Sequence, residues 1–411
     1  MSEPRVLVLS YHLPDDGDVG AFRPWMEVRL LRDLGWRVTV VTARTNYMTG
    51  RATARRGGDP NLRILRAPGL GNHRRSLLRR AFHYVLFAVG AFVLAAVAAG
   101  PCTVVFVGTD PFPLVPLASW LARLKRARLV LDERDLYPET ALALGVLRPG
   151  PMARVLGALA RRLRRRADHV LVATPGQHRR LRAEGLPEAK LTLLPNADVY
   201  LAPDAPPVAA PAEAALPALP GEVRRWAVYA GGYGRANDVA LLLDAFATLA
   251  DHPEVGLLMI GAGEKAPLVG EARARGVNVH ALGALPRRTC RALLARSALG
   301  LHAYVPVPLF AEALPSKVYD YLAQGCPVLF AGTGDTAELL ARSGAGVSVP
   351  AGDTAAFARA LRLLLVEDPG RLRPLADAAR SWYARSVGYR TTRDAVARAF
   401  GPRPKPVLPR P

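Results

Sequence analysis

The sequence predicts an α/β chain with two doubly wound parallel sheets. Short apolar runs bounded by Gly, Pro or Asp recur along its 411 residues, with amphipathic stretches between them. Such runs are typical of strands buried on both faces of a parallel sheet. The pattern stops in an Ala- and Pro-rich stretch at 202–222 and then restarts, and the chain is longer than one hydrophobic core usually serves. We therefore predict two Rossmann-like domains.

The first domain is predicted at residues 1–200 and the second at 226–385, with an Ala/Pro-rich linker at 201–225. A closing helix is expected at 386–400, before a proline-dominated, disordered tail at 401–411. The predicted strands of the first domain begin near residues 5, 38, 62, 104, 129, 170 and 191. Those of the second begin near residues 226, 255, 277, 299, 327 and 347. Ligands of open α/β sheets bind at the carboxyl ends of the strands, so we expect a cleft there between the domains.

Charge and cysteine content limit the partners. The net charge of +21 comes almost wholly from arginine, and it favours attraction to polyanions or anionic lipid. No RNA-recognition, zinc-finger or basic-helix pattern favours nucleic acid. Three cysteines without paired spacing indicate a reducing cytoplasm, and the amino-terminal residues do not resemble a secretion signal. No HExxH or paired-aspartate motif calls for a metal, so we expect no cofactor.

One apolar run, at residues 81–99, is long enough to raise the question of a membrane span. It follows an arginine-rich stretch at 73–80 and precedes the strand-like VVFVG. In an α/β pattern such a run is expected to be a buried crossover helix. The alternative is a monotopic helix, with the preceding arginines at lipid phosphates and its aromatic residues in the membrane interface.

The segment LFAEALPSKVYDYLAQGCP, at residues 309–327, carries an acid, a base and a second acid: Glu312, Lys317 and Asp320. A helix beginning near Pro315 would offer its free backbone N–H groups and the positive end of its dipole to a phosphate. This arrangement suits a nucleotide with a diphosphate and a ribose diol. The alternative is an ordinary helix with a surface Lys–Asp pair.

Two glycine loops are candidates to approach that ligand. The first follows strand one, with Gly17 and Gly20 before a helix that starts near Phe22 or Arg23. It lacks GxGxxG, which argues against an NAD site. The second, VYAGGYGRAND, places three glycines and an arginine between a strand and a helix of the second domain, where they can cradle a diphosphate: Gly231, Gly232, Gly234 and Arg235. A later GxG, in MIGAGEKAP, is interpreted as a turn, either purely structural or lining the pocket for the base.

Charged residues crowd the end of the fifth predicted strand in LVLDERDLYPE. Four carboxylates around one arginine repel one another unless they are paired or functional. We predict that Asp135 and Glu139 face the cleft, while Arg134 pairs with a neighbour or holds substrate. The alternative is an Arg–carboxylate cluster that anchors the loop.

From about residue 4 to 398, the chain resembles the retaining nucleotide-sugar glycosyltransferases of the GT-B fold, in which two Rossmann-like domains face each other across a cleft. The resemblance is strongest to bacterial polysaccharide and O-antigen transferases. The motifs that carry it are GAFRP at 20–24, DLGWRVTVVT at 33–42, RDLYPE at 134–139, ADHVLVATPG at 167–176, LLPNAD at 193–198, YAGGYGRAND at 229–238 and LPSKVYDYLAQGCPV at 314–328.

The resemblance implies that the donor binds mainly to the second domain, with Asp320 on the ribose hydroxyls and Glu312 on the donor sugar. Three features depart from the family pattern: Asp320 stands for the usual Glu, Ala240 for a diphosphate-binding Lys, and RDLYPE has no His. Catalytic roles are assigned to Lys317, Arg235, Asp135 and Glu312. Donor-binding roles are assigned to Asp320, Ser316, Gly231, Gly232, Gly234, Gly20 and Pro315. Acceptor-side roles are assigned to Arg23, Glu139 and Arg134.

The predicted function is transfer of a sugar from a nucleoside diphosphate to an acceptor hydroxyl with retention, in polysaccharide, glycolipid or secondary-metabolite synthesis. The charge and the 73–99 segment suggest a lipid-linked acceptor and peripheral contact with the inner face of an anionic membrane. A GT-B nucleotide-sugar epimerase and a catalytically inactive nucleotide-sugar-binding protein are the alternatives.

Overall fold

The computed structural model describes residues 5–13, 22–45, 59–68, 77–206 and 216–401. Gly17, Gly20 and the tail from residue 402 lie outside these ranges. The chain forms two compact units: Met1–Pro195 together with Arg390–Pro411, and Asn196–Tyr389.

The described part of the first unit contains a seven-stranded parallel sheet, as its apolar runs predict. The strand order is β3-β2-β1-β4-β5-β6-β7, and it reverses direction between β1 and β4. The strands are β1 Arg5–Leu9, β2 Arg37–Ala43, β3 Leu62–Ala67, β4 Val104–Gly108, β5 Arg128–Glu133, β6 His169–Val172 and β7 Leu191–Leu193. β1 and β4 are almost wholly buried, which explains their uninterrupted apolar sequences.

Helices cover both faces of this sheet. They are α1 Arg23–Asp33, α2 Leu77–Ala98, α3 Leu114–Leu124, α4 Glu139–Ala143, α5 Pro151–Arg166 and α6 Pro175–Ala183. The predicted start of α1 at Phe22 or Arg23 is confirmed, with Pro24 in its first turn.

The described part of the second unit contains a six-stranded parallel sheet of order β10-β9-β8-β11-β12-β13. Its strands are β8 Arg225–Ala230, β9 Val255–Ile260, β10 Val279–Gly283, β11 Leu299–Ala303, β12 Val328–Ala331 and β13 Gly346–Val349. Its helices are α7 Val239–Ala247, α8 Ala266–Ala274, α9 Arg287–Leu294, α10 Ser316–Ala323, α11 Asp335–Ser343, α12 Thr354–Arg362 and α13 Leu372–Ser386. All strand pairs are parallel, and the order reverses between β8 and β11.

The last helix of the described residues is α14 Tyr389–Phe400, where a closing helix was expected. Phe400 packs edge-on against Phe106 of β4, with ring centroids 5.1 Å apart. Arg128 Nη1 donates to the Phe400 carbonyl oxygen at 2.8 Å, and a cation at a helix C-terminus is favourable. These contacts join the end of the chain to the first unit.

The helix α2 differs from the expected buried crossover helix. Its inner face is buried in the core of the first unit, but its outer face exposes large apolar side chains. Within the described residues, it is the helix that is long and apolar enough to cross a membrane: Arg79–Ala98 has a mean hydropathy of 2.2, and 28% of that stretch is buried.

A buried arginine joins three elements of the first unit. The Arg164 side chain on α5 is almost inaccessible to solvent, and its guanidinium donates to both carboxylate oxygens of Glu133 at 3.0 and 3.2 Å. It also donates to the Tyr137 carbonyl oxygen at 3.1 Å. Glu139 and Glu184 lie 3.8 and 3.6 Å away. No solvent reaches the guanidinium to stabilise its charge. The carboxylates must therefore offset the free-energy cost of burying it.

We expect Arg164→Leu to lower the free energy of unfolding by about 3–5 kcal/mol, since the buried Glu133 carboxylate would lose its partner. Chemical denaturation measures this change. Arg166→Leu, two residues further along the same helix at an exposed position, is the control and should leave stability unchanged. Equal stability of the two variants would show that the ion pair contributes nothing.

Candidate functional site

The candidate site of the second unit lies where the strand order reverses, at the carboxyl ends of β8 and β11. Ligands of open α/β sheets bind at such a switch point. The glycine loop 231–234 follows β8 and leads to α7, whose first turn is capped by Asp238 through the Leu241 N–H at 3.2 Å. The Asp238 N–H donates to the Ala303 carbonyl oxygen of β11 at 2.9 Å, which ties the loop to the neighbouring strand.

Lys317, in the first turn of α10, reaches into this loop. Its Nζ donates to Tyr229 Oη at 2.9 Å and to Asn237 Oδ1 at 3.2 Å. It also lies 4.3 Å from the centroid of the Tyr229 ring, a cation–π distance. Tyr229 Oη and the Asn237 side-chain amide both donate to the Gly232 carbonyl oxygen. The lysine therefore lies in a site built by the end of β8, the glycine loop and the segment between that loop and α7.

Glycine at position 231 makes room for this lysine. A Cβ there would lie 2.8 Å from Lys317 Cε and 2.9 Å from its Nζ. The residue also has φ +155°, a conformation that side chains rarely adopt. Gly232 serves through its carbonyl oxygen, whereas a Cβ on Gly234 would meet nothing within 4 Å.

Burial lowers the pKa of Lys317 to about 7, because desolvation disfavours the charged ammonium. A phosphate beside Nζ would reverse this effect by stabilising the charge. His302 on β11, near Lys317, is fully buried, and neither of its ring nitrogens has a hydrogen-bond partner among the described residues. Burial and the charge of Lys317 lower the pKa of His302 well below 6.5, so the imidazole stays neutral.

A second glycine turn supports the first, in agreement with its interpretation as structural. A Cβ on Gly261 would lie 1.8 Å from the Gly231 carbonyl oxygen, so the two loops meet backbone to backbone. Lys265 follows this turn, and its Nζ donates to the Asn237 carbonyl oxygen at 2.7 Å. Two lysines thus converge on Asn237, although only Lys317 was identified from the sequence.

The start of α10 agrees with the sequence prediction. Pro315 is the N-cap residue, with φ −73° and ψ 144°, and no side chain caps the helix. Ser316 is the exposed first residue of the helix, beside Lys317. Glu312 ends a preceding 3-10 turn, Pro308–Glu312, and is half-buried. Its contact with a donor sugar stays a prediction.

Asp320, one turn into α10, is held by an arginine that the sequence did not single out. Arg287 on α9 donates from Nη2 to Asp320 Oδ1 at 2.5 Å. Arg291, one turn further on, pairs with Asp198, whose carbonyl oxygen accepts a hydrogen bond from Tyr383. Burial raises the pKa of Asp320 and outweighs the opposing effect of the arginines. The expected ribose contact stays a prediction.

Arg235 lies apart from the lysines, at the edge of the loop. Its side chain is half exposed, and its Nε is 3.5 Å from a carboxylate oxygen of Glu264. Exposed ion pairs of this kind contribute little stability, so the pair does not fix the guanidinium in place.

At the strand ends of the first unit, Arg23 and Arg134 enclose a buried carboxylate. Arg23 donates to Asp132 Oδ1 at 2.6 Å and to the Leu194 carbonyl oxygen at 2.5 Å, and Arg134 pairs with the other oxygen of Asp132. Glu27 lies 2.8 Å from Arg23 and 3.3 Å from Arg134. Pairing of Arg134 with its neighbours, one of its two predicted roles, is confirmed. Arg23 is buried within this cluster, and its acceptor-side role stays a prediction.

These arginines affect the two carboxyls unequally. Burial would raise the pKa of Asp132, but Arg23 and Arg134 outweigh it and lower the value to about 2. Burial and repulsion from Asp132 raise the pKa of Glu27 to about 8. Asp132 therefore carries the negative charge, while the raised pKa of Glu27 favours its protonated form.

Among the described residues beside this cluster, Asp135 and Asp110 are exposed acids. Asp135 keeps an accessible side chain, but partial desolvation, followed by repulsion from Asp110, raises its pKa to about 6. Asp110 follows β4, and His12 Nε2 lies 3.9 Å from its carboxylate. Glu139 begins α4 beside Arg164 rather than beside these acids. Clusters of three or more metal-ligating side chains do not occur within the described residues.

Two family models match the chain. The glycosyl transferase 4-like domain matches residues 23–197, and the domain described as glycosyl transferases group 1 matches residues 224–367. Together they span most of the sequence. The chain belongs to the GT-B glycosyltransferases. It is an enzyme family that uses nucleotide sugars, as the donor-side resemblance implied.

Solved structures share the fold of this glycosyltransferase at low sequence identity. Sucrose-phosphate synthase from Thermosynechococcus elongatus has a TM-score of 0.69 and 16% identity over 97% of this chain and 98% of its own. WaaG, a glycosyltransferase of lipopolysaccharide biosynthesis, has a TM-score of 0.67 and 16% identity over 96% of this chain and 100% of its own. HepE from Anabaena, solved with UDP-glucose, has a TM-score of 0.65 and 14% identity over 96% of this chain and 98% of its own. A search of curated protein sequences found no match.

Sequence reasoning missed several polar residues of the glycosyltransferase site. Tyr229 and Asn237 lie inside the glycine motif, but aromatic and amide residues are common in such turns. Lys265 follows a second GxG. The rarity of lysine in this arginine-rich chain was the signal that could have identified it. Arg287 and Arg291 recur at i and i+4 on α9, which indicates a shared helix face but not its partner.

The low pKa of Lys317 can be measured directly, because the glycosyltransferase has only five lysines: Lys125, Lys190, Lys265, Lys317 and Lys405. With ¹³C-labelled lysine, we expect one side-chain NMR signal to titrate near pH 7 and to be missing in Lys317→Met. The folded pKa lies below the unfolded value of 10.5, so Lys317 lowers stability below pH 7, and this cost fades as pH rises towards 10.5. Titration of all five signals near pH 10 would contradict the burial argument.

Proposed function

We propose that this glycosyltransferase moves a sugar from a nucleoside diphosphate to an acceptor hydroxyl with retention of anomeric configuration. The observation that carries the proposal is Lys317 beside Gly231, at the uncapped start of α10 and at the switch point of the sheet. Backbone N–H groups, the helix dipole and an ammonium converge there, which is the environment that a diphosphate requires.

The donor-binding roles follow from this geometry. Lys317 contacts the diphosphate, and Lys265 supplies the second positive charge where relatives carry a lysine at the position of Ala240. Gly231, Gly232 and Gly234 let the loop backbone approach the phosphates, with Gly20 as an expected contact outside the described residues. Asp320 receives the ribose hydroxyls beside Arg287, and Pro315 and Ser316 present the helix N-terminus. These charges neutralise the diphosphate without a metal ion.

Reaction on one face of the sugar needs charge stabilisation more than a strong base. The bond between the anomeric carbon and the diphosphate oxygen breaks, and the acceptor oxygen bonds to the same face of that carbon. The acceptor proton passes to the departing diphosphate. Lys317 stabilises the growing negative charge, Arg235 adds a mobile cation, and Glu312 holds the sugar.

The first unit is proposed to receive the acceptor. Asp135 and Asp110 are accessible carboxylates at its strand ends, Arg134 and Arg23 support the strand ends beside them, and Glu139 lies further along, at the start of α4. The titration of Asp135 near pH 6 suits a group that accepts a hydrogen bond from an acceptor hydroxyl at neutral pH. The positive charge of the chain supports a lipid-linked acceptor at the cytoplasmic face of an anionic membrane, as in polysaccharide or glycolipid synthesis.

Turnover with a panel of UDP, GDP and dTDP sugars tests the proposal. Donor-dependent transfer, with the product anomer matching the donor by NMR, supports it. Inversion of the anomer would reject retention. Interconversion of the nucleotide sugar without an acceptor would favour an epimerase, and tight nucleotide binding without any turnover would favour an inactive binding protein.

Gly231→Ala should weaken nucleoside-diphosphate binding at least about tenfold, because its Cβ would displace Lys317 and break a charge-assisted contact. Isothermal titration calorimetry with UDP and GDP measures the affinity. Gly270→Ala on α8, outside the glycine loop, is the control, since its Cβ meets nothing within 4 Å and should leave affinity unchanged. Equal nucleotide affinities of the two variants would show that Lys317 does not contribute to phosphate binding.

Lys317→Ala and Asp320→Ala should each lower donor affinity or turnover by at least about tenfold while the fold persists, because each removes a direct contact with the nucleotide. Steady-state kinetics and circular dichroism measure the two effects. Asp244→Ala, which removes an exposed carboxylate paired with Arg275, is the control. Wild-type activity in both site variants would reject the assignment.

A further inference from the structure

The outer face of α2 is apolar where a soluble protein would place polar residues. Its members recur at helical spacing and are exposed, from Leu86 at 36% to Val97 at 83%. The face consists of Phe82, Val85, Leu86, Val89, Val93 and Val97. On α3, Trp120 stacks on Phe92 with ring centroids 4.9 Å apart, and it exposes 54% of its surface beside exposed Leu124. We call these residues of α2 and α3 the apolar outer face.

The inner face of α2 is fixed in the first unit, so the helix cannot cross a membrane without unfolding it. Phe87 and Ala91 are wholly buried, and His83 Nε2 shares a 2.7 Å hydrogen bond with Tyr11 Oη. Arg63 donates to the last carbonyl oxygen of the helix, that of Ala98, at 2.8 Å. A helix with one face in the protein and one apolar face outward is suited to lie along a membrane interface.

The charged side chains on the helices that carry and flank the apolar outer face have one sign. The neighbouring helices α2, α3 and α5, which pack on the same core, contain arginines but no Asp or Glu. Slight desolvation and repulsion from Arg123 and Arg162 lower the pKa of Arg166, so the ends of α3 and α5 share one basic cluster. At the other end of α2, Arg79 and Arg80 precede Phe82. Cations therefore lie at both ends of the apolar outer face.

We propose that the apolar outer face docks flat on an anionic lipid bilayer, with these arginines at the lipid phosphates. From Phe82 to Val97 the stripe is about 22 Å long, from the helical rise of about 1.5 Å per residue. Apolar insertion and attraction to anionic headgroups together give stable interfacial binding. The docking rests on the proposed membrane contact and does not depend on sugar transfer.

Docking would bring the acceptor end of the first unit to the membrane surface. As a crossover helix, α2 starts at the carboxyl ends of the strands, where Asp110 and Asp135 lie. Partial desolvation raises the pKa of Asp110, although its side chain is accessible, and the nearby charges of Arg134 and Arg80 oppose this rise. A lipid-linked acceptor would therefore arrive beside these acids.

Vesicle flotation of the full chain tests the proposal. We expect recovery with phosphatidylglycerol–phosphatidylcholine vesicles and at least about tenfold less with phosphatidylcholine alone, with the difference reduced at 0.5 M salt. Val89→Glu with Val93→Glu should lower partitioning into anionic vesicles at least about tenfold, because both carboxylates would enter the interface. Arg123→Gln with Arg162→Gln, in the basic cluster at the ends of α3 and α5, should weaken only the part that depends on anionic lipid.

The matched control is Ala274→Glu with Ala384→Glu, which adds the same two charges at exposed helix positions of the second unit. It should bind vesicles like the wild type. UDP affinity measured without vesicles should be equal in all variants, which confirms folding and separates this test from the proposed transfer.

Three results would overturn the proposal. Wild-type partitioning of the Val89/Val93 variant, with loss only in the arginine variant, would indicate a purely electrostatic polyanion site, such as one for RNA. Absence of vesicle binding in the wild type would reject a bilayer. A concentration-dependent dimer in sedimentation, lost in the Val89/Val93 variant without any vesicle binding, would assign the face to a second copy of the chain.

Discussion

In the second unit, the ammonium of Lys317 fits between Tyr229 and Asn237 only because residue 231 has no side chain. The start of α10, the glycine loop and the ends of β8 and β11 meet around this close contact. The loop in turn rests on Gly261, whose Cα lies against the Gly231 carbonyl group. A single added methyl group would therefore disturb both loops and the lysine, so the geometry of the donor site depends on backbone contact.

The first unit meets a different constraint at its strand ends, where several charges are buried close together. Desolvation of a carboxylate is costly unless cations and hydrogen bonds replace its water. Arg23 and Arg134 do this for Asp132, and Arg164 does it for Glu133. Because these carboxylates are neutralised within the protein, Asp110 and Asp135 are, among the described residues of this cluster, acids that remain accessible to a ligand.

The strands were predictable because a parallel sheet buried on both faces needs continuous apolar runs, and thirteen such runs match the observed strands. The start of α10 at Pro315 and of α1 at Arg23 followed from proline placement. The burial of α2 was not predictable in full. Its sequence is apolar all round, so periodicity alone cannot tell which face meets the core and which faces solvent.

The sequence by itself determined the two α/β units, the order of their elements along the chain, the position of Gly231 in a loop that follows a strand, and those of Lys317 and Asp320 near the start of a helix. Only the tertiary structure decided which charges meet. Arg287 and Asp320 are 33 residues apart, and Arg23 and Asp132 are 109 apart. Local patterns specify helices and strands through neighbouring residues, whereas ion pairs between distant segments depend on strand order and helix packing, which no short motif encodes.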